Sequence, residues 1–253
     1  PDNSFDAVIT DPPYSSGTRK EGQKGVRKAM NRVTEDAEWF STDSLTTNGF
    51  IWLMRECARE WRRLLKVGGH LLCFIDWRMY PSLSAVIESV DLRHLGMLVW
   101  DKTYFGMGAC FRNQHELILH FSKGPPSAPQ RRDMGNVIQC KPVRNGEHPT
   151  QKPLDLMHKL VSVVTPKSGH VLDSFAGSGA TGAACDLHGC DFTGIEIEPR
   201  YCMTIPAHEL VADAAGVPGD DAAAHHADHG LPEHEQPAAG LPAQRAEGEP
   251  AAA

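Results

Sequence analysis

A short apolar run, Phe5 to Thr10, ends abruptly in Asp11-Pro12-Pro13-Tyr14, and this junction restricts the possible folds more than any other stretch. Phe5, Ala7, Val8 and Ile9 are too few for a helix and nearly continuous in apolarity, the pattern of a strand buried in a parallel sheet. Two prolines behind it block a helical start and force an extended exit. Open α/β sheets bind ligands outside the carboxyl ends of their strands. Here the strand delivers a carboxylate, a carbonyl on a residue without an N–H, and an aromatic ring. That set suits a flat substrate bearing an amino group: Asp11 and the Pro12 carbonyl can accept its two protons, and Tyr14 can stack on its face. Taken alone, the same residues also make an ordinary strand-ending turn.

The rest of the body alternates helical and strand patterns. Ile51, Trp52, Met54, Ala58, Trp61 and Leu65 predict an amphipathic helix over 49–66, closed by a glycine cap at Gly68-Gly69. His70–Ile75 reads as the next buried strand, with Asp76-Trp77-Arg78 at its carboxyl end, and Pro81–Val90 as a helix. Leu95–Lys102 and Glu116–Phe121 read as two more strands. A helix over Leu154–Val164, a strand at Val171–Ser174, a helix through Leu187, a strand at Phe192–Ile197 and a last helix from Pro199 to about Leu210 complete the pattern. This is an α/β chain with a mostly parallel sheet and helices on both faces.

Charge has to be read by segment. The chain has 253 residues and a formal net charge of −7. From Ala207 onward, however, nine acids stand against Arg245 alone, so the tail carries −8 and residues 1–206 about +1. Two loops in the body are basic. The first spans 15–48 and carries Arg19, Lys20, Lys24, Arg27, Lys28 and Arg32. The second spans 122–149 and carries Lys123, Arg131, Arg132, Lys141 and Arg144, with Arg112 just upstream. Such runs are ordinarily solvated loops. Beside a site for a flat base, Arg19, Lys20, Lys24, Arg27, Lys28, Arg112, Arg131 and Arg132 become candidates for contacts to double-stranded DNA. The seven cysteines are odd in number and lack a C-x-x-C pair, so reduced thiols in a cytoplasmic protein are expected and no metal site is. No apolar run approaches the ~18 residues of a membrane span, no signal peptide opens the chain, and no membrane partner is expected. Residues 1–210 are expected to form one domain, and 211–253, poor in large apolar residues, a disordered tail. His225-His226-x-x-His229 in that tail is explained by its composition. Monomer and homodimer are both open.

A second stretch completes the chemistry. Phe175-Ala176-Gly177-Ser178-Gly179-Ala180-Thr181-Gly182 follows the strand Val171–Ser174 and precedes a helix, and Glu196 lies nineteen residues after Gly177. Glycines there let backbone approach a ligand, and the acidic residue can hold ribose hydroxyls. By spacing alone, an NAD-dependent oxidoreductase and an enzyme using another adenosine cofactor fit equally.

The combination of D-P-P-Y, H-P-T-Q-K-P at 148–153, D-S-F-A-G-S-G-A-T at 173–181 and G-I-E at 194–196 resembles the amino-group DNA methyltransferases, which methylate adenine N6 or cytosine N4. With the catalytic motif ahead of the cofactor motif, the order is similar to that of their circularly permuted β group. The resemblance covers roughly residues 1–206 and implies a Rossmann-like methyltransferase fold and S-adenosylmethionine as cofactor. It implies that Asp11, Pro12, Pro13 and Tyr14 hold the target amino group and base. It further implies that Asp173, Phe175, Ala176, Gly177, Ser178, Gly179 and Glu196 form the cofactor pocket, closed by Thr150, Lys152 and Pro153. Asp rather than Ser in the first position tilts the target toward adenine. Two departures stand out. The family places a strand with a cofactor-touching acid ahead of D-P-P-Y, which this chain starts too late to contain; weakened cofactor affinity, or a DNA-binding relative without transfer activity, would follow. The usual G-S-G-T reads Gly-Ser-Gly-Ala180, with Thr181 one place later.

Overall fold

The computed structural model describes residues 1–13, 46–106, 110–143 and 151–197. The opening apolar run forms β1 (Phe5–Thr10). It is followed by α1 (Thr47–Leu64) and β2 (Leu65–Ile75), then α2 (Tyr80–Glu88), β3 (Arg93–Asp101), β4 (His115–Ser122) and β5 (Val137–Gln139). The described part ends with α3 (Leu154–Val164), β6 (His170–Asp173), α4 (Ala180–His188) and β7 (Asp191–Gly194). The strands form one sheet in the order β5-β3-β4-β2-β1-β6-β7. β1 pairs in parallel with both β2 and β6, β6 with β7, and β3 with β5. Of the described strands, only β4 runs against its neighbours. Hence the carboxyl ends of six strands and the amino end of β4 share one edge.

Alternation along the strands feeds two cores. Val8, Leu71, Cys73, Ile75 and Leu119 face α1 and α2, packing with Phe50, Met54, Trp61, Leu83 and Ile87. Ala7, Ile9, Leu72, Phe74, Ile118 and Val171 face the opposite way, against Leu156, Leu160, Val161 and Ala184 of α3 and α4. Helix α1 starts where Thr46 accepts the Gly49 N–H at 3.1 Å, a side-chain cap that satisfies one orphan donor. Helix α3 begins directly after Pro153, whose φ of −63° suits a helix entry.

The glycine pair at 68–69 departs from the expected cap. Helix α1 ends at Leu65 in extended conformation and passes straight into β2. The glycines instead absorb a register shift, since Phe5 pairs with Leu65 but Ala7 pairs with His70. Gly68 sits at φ +85°, and a Cβ on Gly69 would stand 2.9 Å from the Lys66 carbonyl oxygen. Strand β5 adds an element that the sequence pattern does not predict, because three residues carry no periodic signal. The last strand ends at Gly194, so Glu196 lies just past its end. The expected helix from Pro199 and the tail lie outside the described residues.

Candidate active site

The shared edge gathers the end of β1, the turn after β6 and the start of β4. Because β1 and β6 are parallel neighbours, with Val8 opposite Leu172, Thr10 comes level with Ser174 and next to Asp173. The Thr10 hydroxyl donates to Asp173 Oδ1 at 2.9 Å and lies 3.3 Å from Ser174 Oγ. Asp11 and Gly177, far apart in the chain, therefore extend from adjacent strand ends on the same side of the sheet.

Asp173 is the brace of the second strand end. Its carboxylate also accepts the Phe175 N–H at 3.0 Å and the Thr181 hydroxyl at 2.6 Å. Burial pushes this carboxyl up to about 6 against those donors, and the nearby Asp11 charge adds to the rise. The threonine one place beyond the usual position thus still reaches into the turn. Trp61 of α1 donates to Ser174 Oγ at 3.0 Å, tying the turn to the helical layer. Phe175 packs against the same layer.

Gly177 and Gly179 have φ of +52° and +81°, the left-handed region that side chains disfavour. Gly179 precedes α4, so the turn Phe175–Gly179 leads into a helix N-terminus. Ala176 donates to the Ile195 carbonyl at 3.0 Å, resting the turn on the chain after β7. Glu196 Oε2 accepts the Gly177 N–H at 2.8 Å, so the carboxylate expected to bind ribose stands directly on the glycine turn. Gly182 has another task. A Cβ there would meet the Phe192 ring at 2.9 Å, so this glycine lets α4 lie close on β7.

On the β1 side, Pro12 is buried and Asp11 and Pro13 are partly exposed. Lys152, only 9% exposed at its side chain, reaches from the segment before α3 to bond Asp11 Oδ2. Its ammonium also lies 3.4 Å from Glu116 Oε2, at the start of β4. Lys102 Nζ donates to Glu116 Oε1 at 2.5 Å. The rings of Phe74 and Trp100 lie 5.0 and 5.9 Å from the Lys152 ammonium. Burial alone would lower the Lys152 pKa; the Asp11 and Glu116 carboxylates outweigh it and hold it above the ordinary lysine range. Glu116 moves down from the usual carboxylate range although burial opposes this, because Lys152 and Lys102 flank it.

The structure brings Asp11, Pro12, Pro13, Asp173, Phe175, Ala176, Gly177, Ser178, Gly179, Lys152, Pro153 and Glu196 to this edge. Lys152 contacts Asp11 and Glu116 there. Sequence reasoning assigns Glu116 only to a strand; an acid at a strand end is the one signal it offers. Tyr14, Thr150, Arg19, Lys20, Lys24, Arg27 and Lys28 lie outside the described residues. Arg112 is exposed after β3, its guanidinium 4.1 Å from the Phe105 ring and its Nε donating to the Gly106 carbonyl. Arg131 pairs with Asp133 at 2.6 Å, while Arg132 is exposed. Lys123 is committed to the fold, donating to Asn3 Oδ1 and the Leu65 carbonyl. Among the described residues, no cluster of three His, Cys, Asp or Glu side chains could hold a metal, and no helix is long and apolar enough to cross a membrane.

Comparison with known proteins gives this edge its context. A family model described as DNA methylase, for N6 and N4 methyltransferases, matches residues 5–206. YubD of Escherichia coli (strain K12), named as a methylase, is 31% identical over 201 residues, covering 79% of this chain and 80% of its own. The type II methyltransferase M.HinfI of Haemophilus influenzae is 27% identical over 228 residues, covering 79% of this chain and 62% of its own. Among solved structures, the cytosine-N4-specific PvuII DNA methyltransferase superposes with a TM-score of 0.61 at 16% identity, covering 85% of this chain and 86% of that one. The chain belongs to the DNA methylase family, the methyltransferases of adenine N6 and cytosine N4.

Proposed function

We propose that this chain transfers a methyl group from S-adenosylmethionine to the exocyclic amino group of a base flipped out of double-stranded DNA, with adenine N6 preferred over cytosine N4. The observation that carries this reading is the adjacency of the two strand ends through Thr10 and Asp173. It gives the amino-group acceptors and the glycine turn a common crevice. Asp11, rather than a serine, at the head of D-P-P-Y supports adenine.

The residues of the second strand end fit the cofactor. Gly177 and Gly179 provide a left-handed turn that backbone can press against an adenosine. Glu196, already fixed on that turn, offers a carboxylate for ribose hydroxyls, and Phe175 and Pro153 offer apolar walls. Bound S-adenosylmethionine supplies a methyl group already activated by its sulfonium. Neither a metal nor a covalent enzyme intermediate is then required.

The chain's own work lies at the amino nitrogen, whose lone pair is delocalised into the base ring. Accepting its two N–H bonds at Asp11 and the Pro12 carbonyl favours a tetrahedral nitrogen with its lone pair free. The same acceptors stabilise the positive charge that develops there. Extruding the base costs a few kcal/mol, and Tyr14 would stack on it. Exposed cations, Arg112 and Arg132 among them, would hold the distorted backbone.

The test is methyl incorporation into duplex DNA from labelled cofactor, followed by digestion to nucleosides. N6-methyladenine is the expected product. N4-methylcytosine would overturn the choice of base, and specific DNA binding without incorporation would make the chain a binding relative.

A further inference from the structure

We propose that Lys152 is a positioning residue for the Asp11 carboxylate, with Glu116 as its counter-charge. The inference rests on the transfer reading above. It moves Lys152 from the cofactor pocket, where its motif resemblance placed it, to the amino-group clamp.

The geometry is specific. Lys152 comes from the segment before α3, yet its ammonium ends between the carboxyl end of β1 and the amino end of β4, two strands separated by β2. The rings of Phe74 and Trp100 lie 5.0 and 5.9 Å from it, and its side chain is only 9% exposed. A buried ammonium survives in such a place only when paired. It is paired to the carboxylate that heads D-P-P-Y, at Oδ2. Fixing that oxygen fixes the carboxylate plane and the direction in which it receives an amino N–H. Clamp geometry is where small displacements are costly, since a shift of about 1 Å can slow a reaction about 100-fold.

Glu116 explains how a cation can be tolerated there. An ammonium beside the target nitrogen would oppose the positive charge developing on it. Glu116, 3.4 Å from Lys152, offsets that charge from the far side and is itself held by Lys102. Asp11, Lys152, Glu116 and Lys102 thus alternate in sign. Removing Lys152 takes away the bridge between Asp11 and Glu116. Without the Lys152 contact, the Asp11 carboxylate plane is no longer held in the direction that receives the amino N–H.

Single-turnover transfer to duplex DNA and cofactor titration test this with Lys152→Met, Lys152→Arg and Asp11→Asn. Lys152→Met is expected to slow transfer about 100-fold, with cofactor affinity within about threefold of the parent by the same argument. Lys152→Arg should recover at least about tenfold of the loss, since it keeps the charge. A parent-like rate, or a defect confined to cofactor affinity, would overturn the proposal. A second readout needs no activity. The melting-temperature losses of Lys152→Met and Asp11→Asn should be less than additive in the double variant, because each removes one side of the same contact. If the parent transfers no methyl group, the transfer reading fails, and this melting comparison still decides the pairing. Additive losses would sink it. Lys152→Gln carries the same expectations where the Met variant does not fold.

Discussion

Thr10 and Asp173 are 163 positions apart, and the hydroxyl of one donates to the carboxylate of the other at 2.9 Å inside the protein. This bond joins the strand that ends in the amino-group acceptors to the strand that ends in the glycine turn. Thr10→Val removes the donor while keeping the shape. Hydrogen bonds to charged groups contribute about 1.5–3 kcal/mol, and a buried acceptor left short loses the full amount. Urea unfolding should show a loss in that range. Cofactor affinity should drop as well, because the Phe175 N–H shares the same carboxylate oxygen.

Asp173 should also leave a signature in stability against pH. Burial raises its folded pKa to about 6, above the ordinary carboxylate value. The folded state therefore binds this proton more tightly than the unfolded chain does. The stabilising contribution is complete below about pH 4 and is lost as pH rises through about 6. A shift of roughly two units corresponds to about 2–3 kcal/mol. Relative to Asp173→Asn, the parent should lose about that much between pH 4 and pH 7. Parallel unfolding curves at the two pH values would show that the carboxylate is better solvated than its burial implies.

Much of the fold was legible because the body is an α/β sheet whose strands are short apolar runs between helical periods. Helix α3 falls on Leu154–Val164 as its spacing predicts, and β1 on Phe5–Thr10. What failed to show was non-periodic. Val137–Gln139 is too short to carry an alternation, and Gly68-Gly69 looks the same in sequence whether it ends a helix or bends a strand. The site divides in the same way. Motif positions located both strand ends, but the pairing of Lys152 with Glu116 spans 36 residues with β5 between them, and no local pattern encodes it. Gly182 was legible as a glycine of the turn, yet its reason is the Phe192 ring on the next strand.

That packing gives its own prediction. Gly182→Ala places a methyl carbon 2.9 Å from two Phe192 ring carbons, closer than carbon atoms tolerate. Overpacking of this kind costs about 1–3 kcal/mol, partly offset by about 1 kcal/mol of helix propensity. The same ring would meet a Cβ on Gly194 at 2.9 Å, so two glycines make room for it. Phe192→Leu should relieve Gly182→Ala in the double variant, and thermal unfolding of the four-member cycle reads the coupling. Additive losses would mean that the helix shifts rather than the ring.

The basic residues are separable by salt dependence. Arg112 and Arg132 are exposed, whereas the Arg131 guanidinium is engaged by Asp133. Removing a side chain that neutralises one phosphate should flatten the slope of log affinity against log salt by about 0.9. Arg112→Ala and Arg132→Ala should each approach that change on duplex DNA. Arg131→Ala should produce less, since its pair must open before it can serve a phosphate. An unchanged slope in Arg112→Ala would remove the segment after β3 from the interface.

Asp11→Asn is the sharpest test of the amino-group clamp. The substitution keeps size and one acceptor oxygen but removes the charge that balances the nitrogen and grips Lys152. Loss of one preorganised charge-stabilising group costs about 10²–10³ in rate, and the loss here should lie at or above the upper end. Cofactor binding should survive within a few-fold, because the glycine turn is braced by Asp173 and Glu196, not by Asp11. Base extrusion should survive too, so a fluorescent base analogue at the target position should still brighten on binding. Transfer lost together with cofactor affinity would instead make Asp11 a structural support of the crevice, and the chemistry would have to be sought at another group on the same edge.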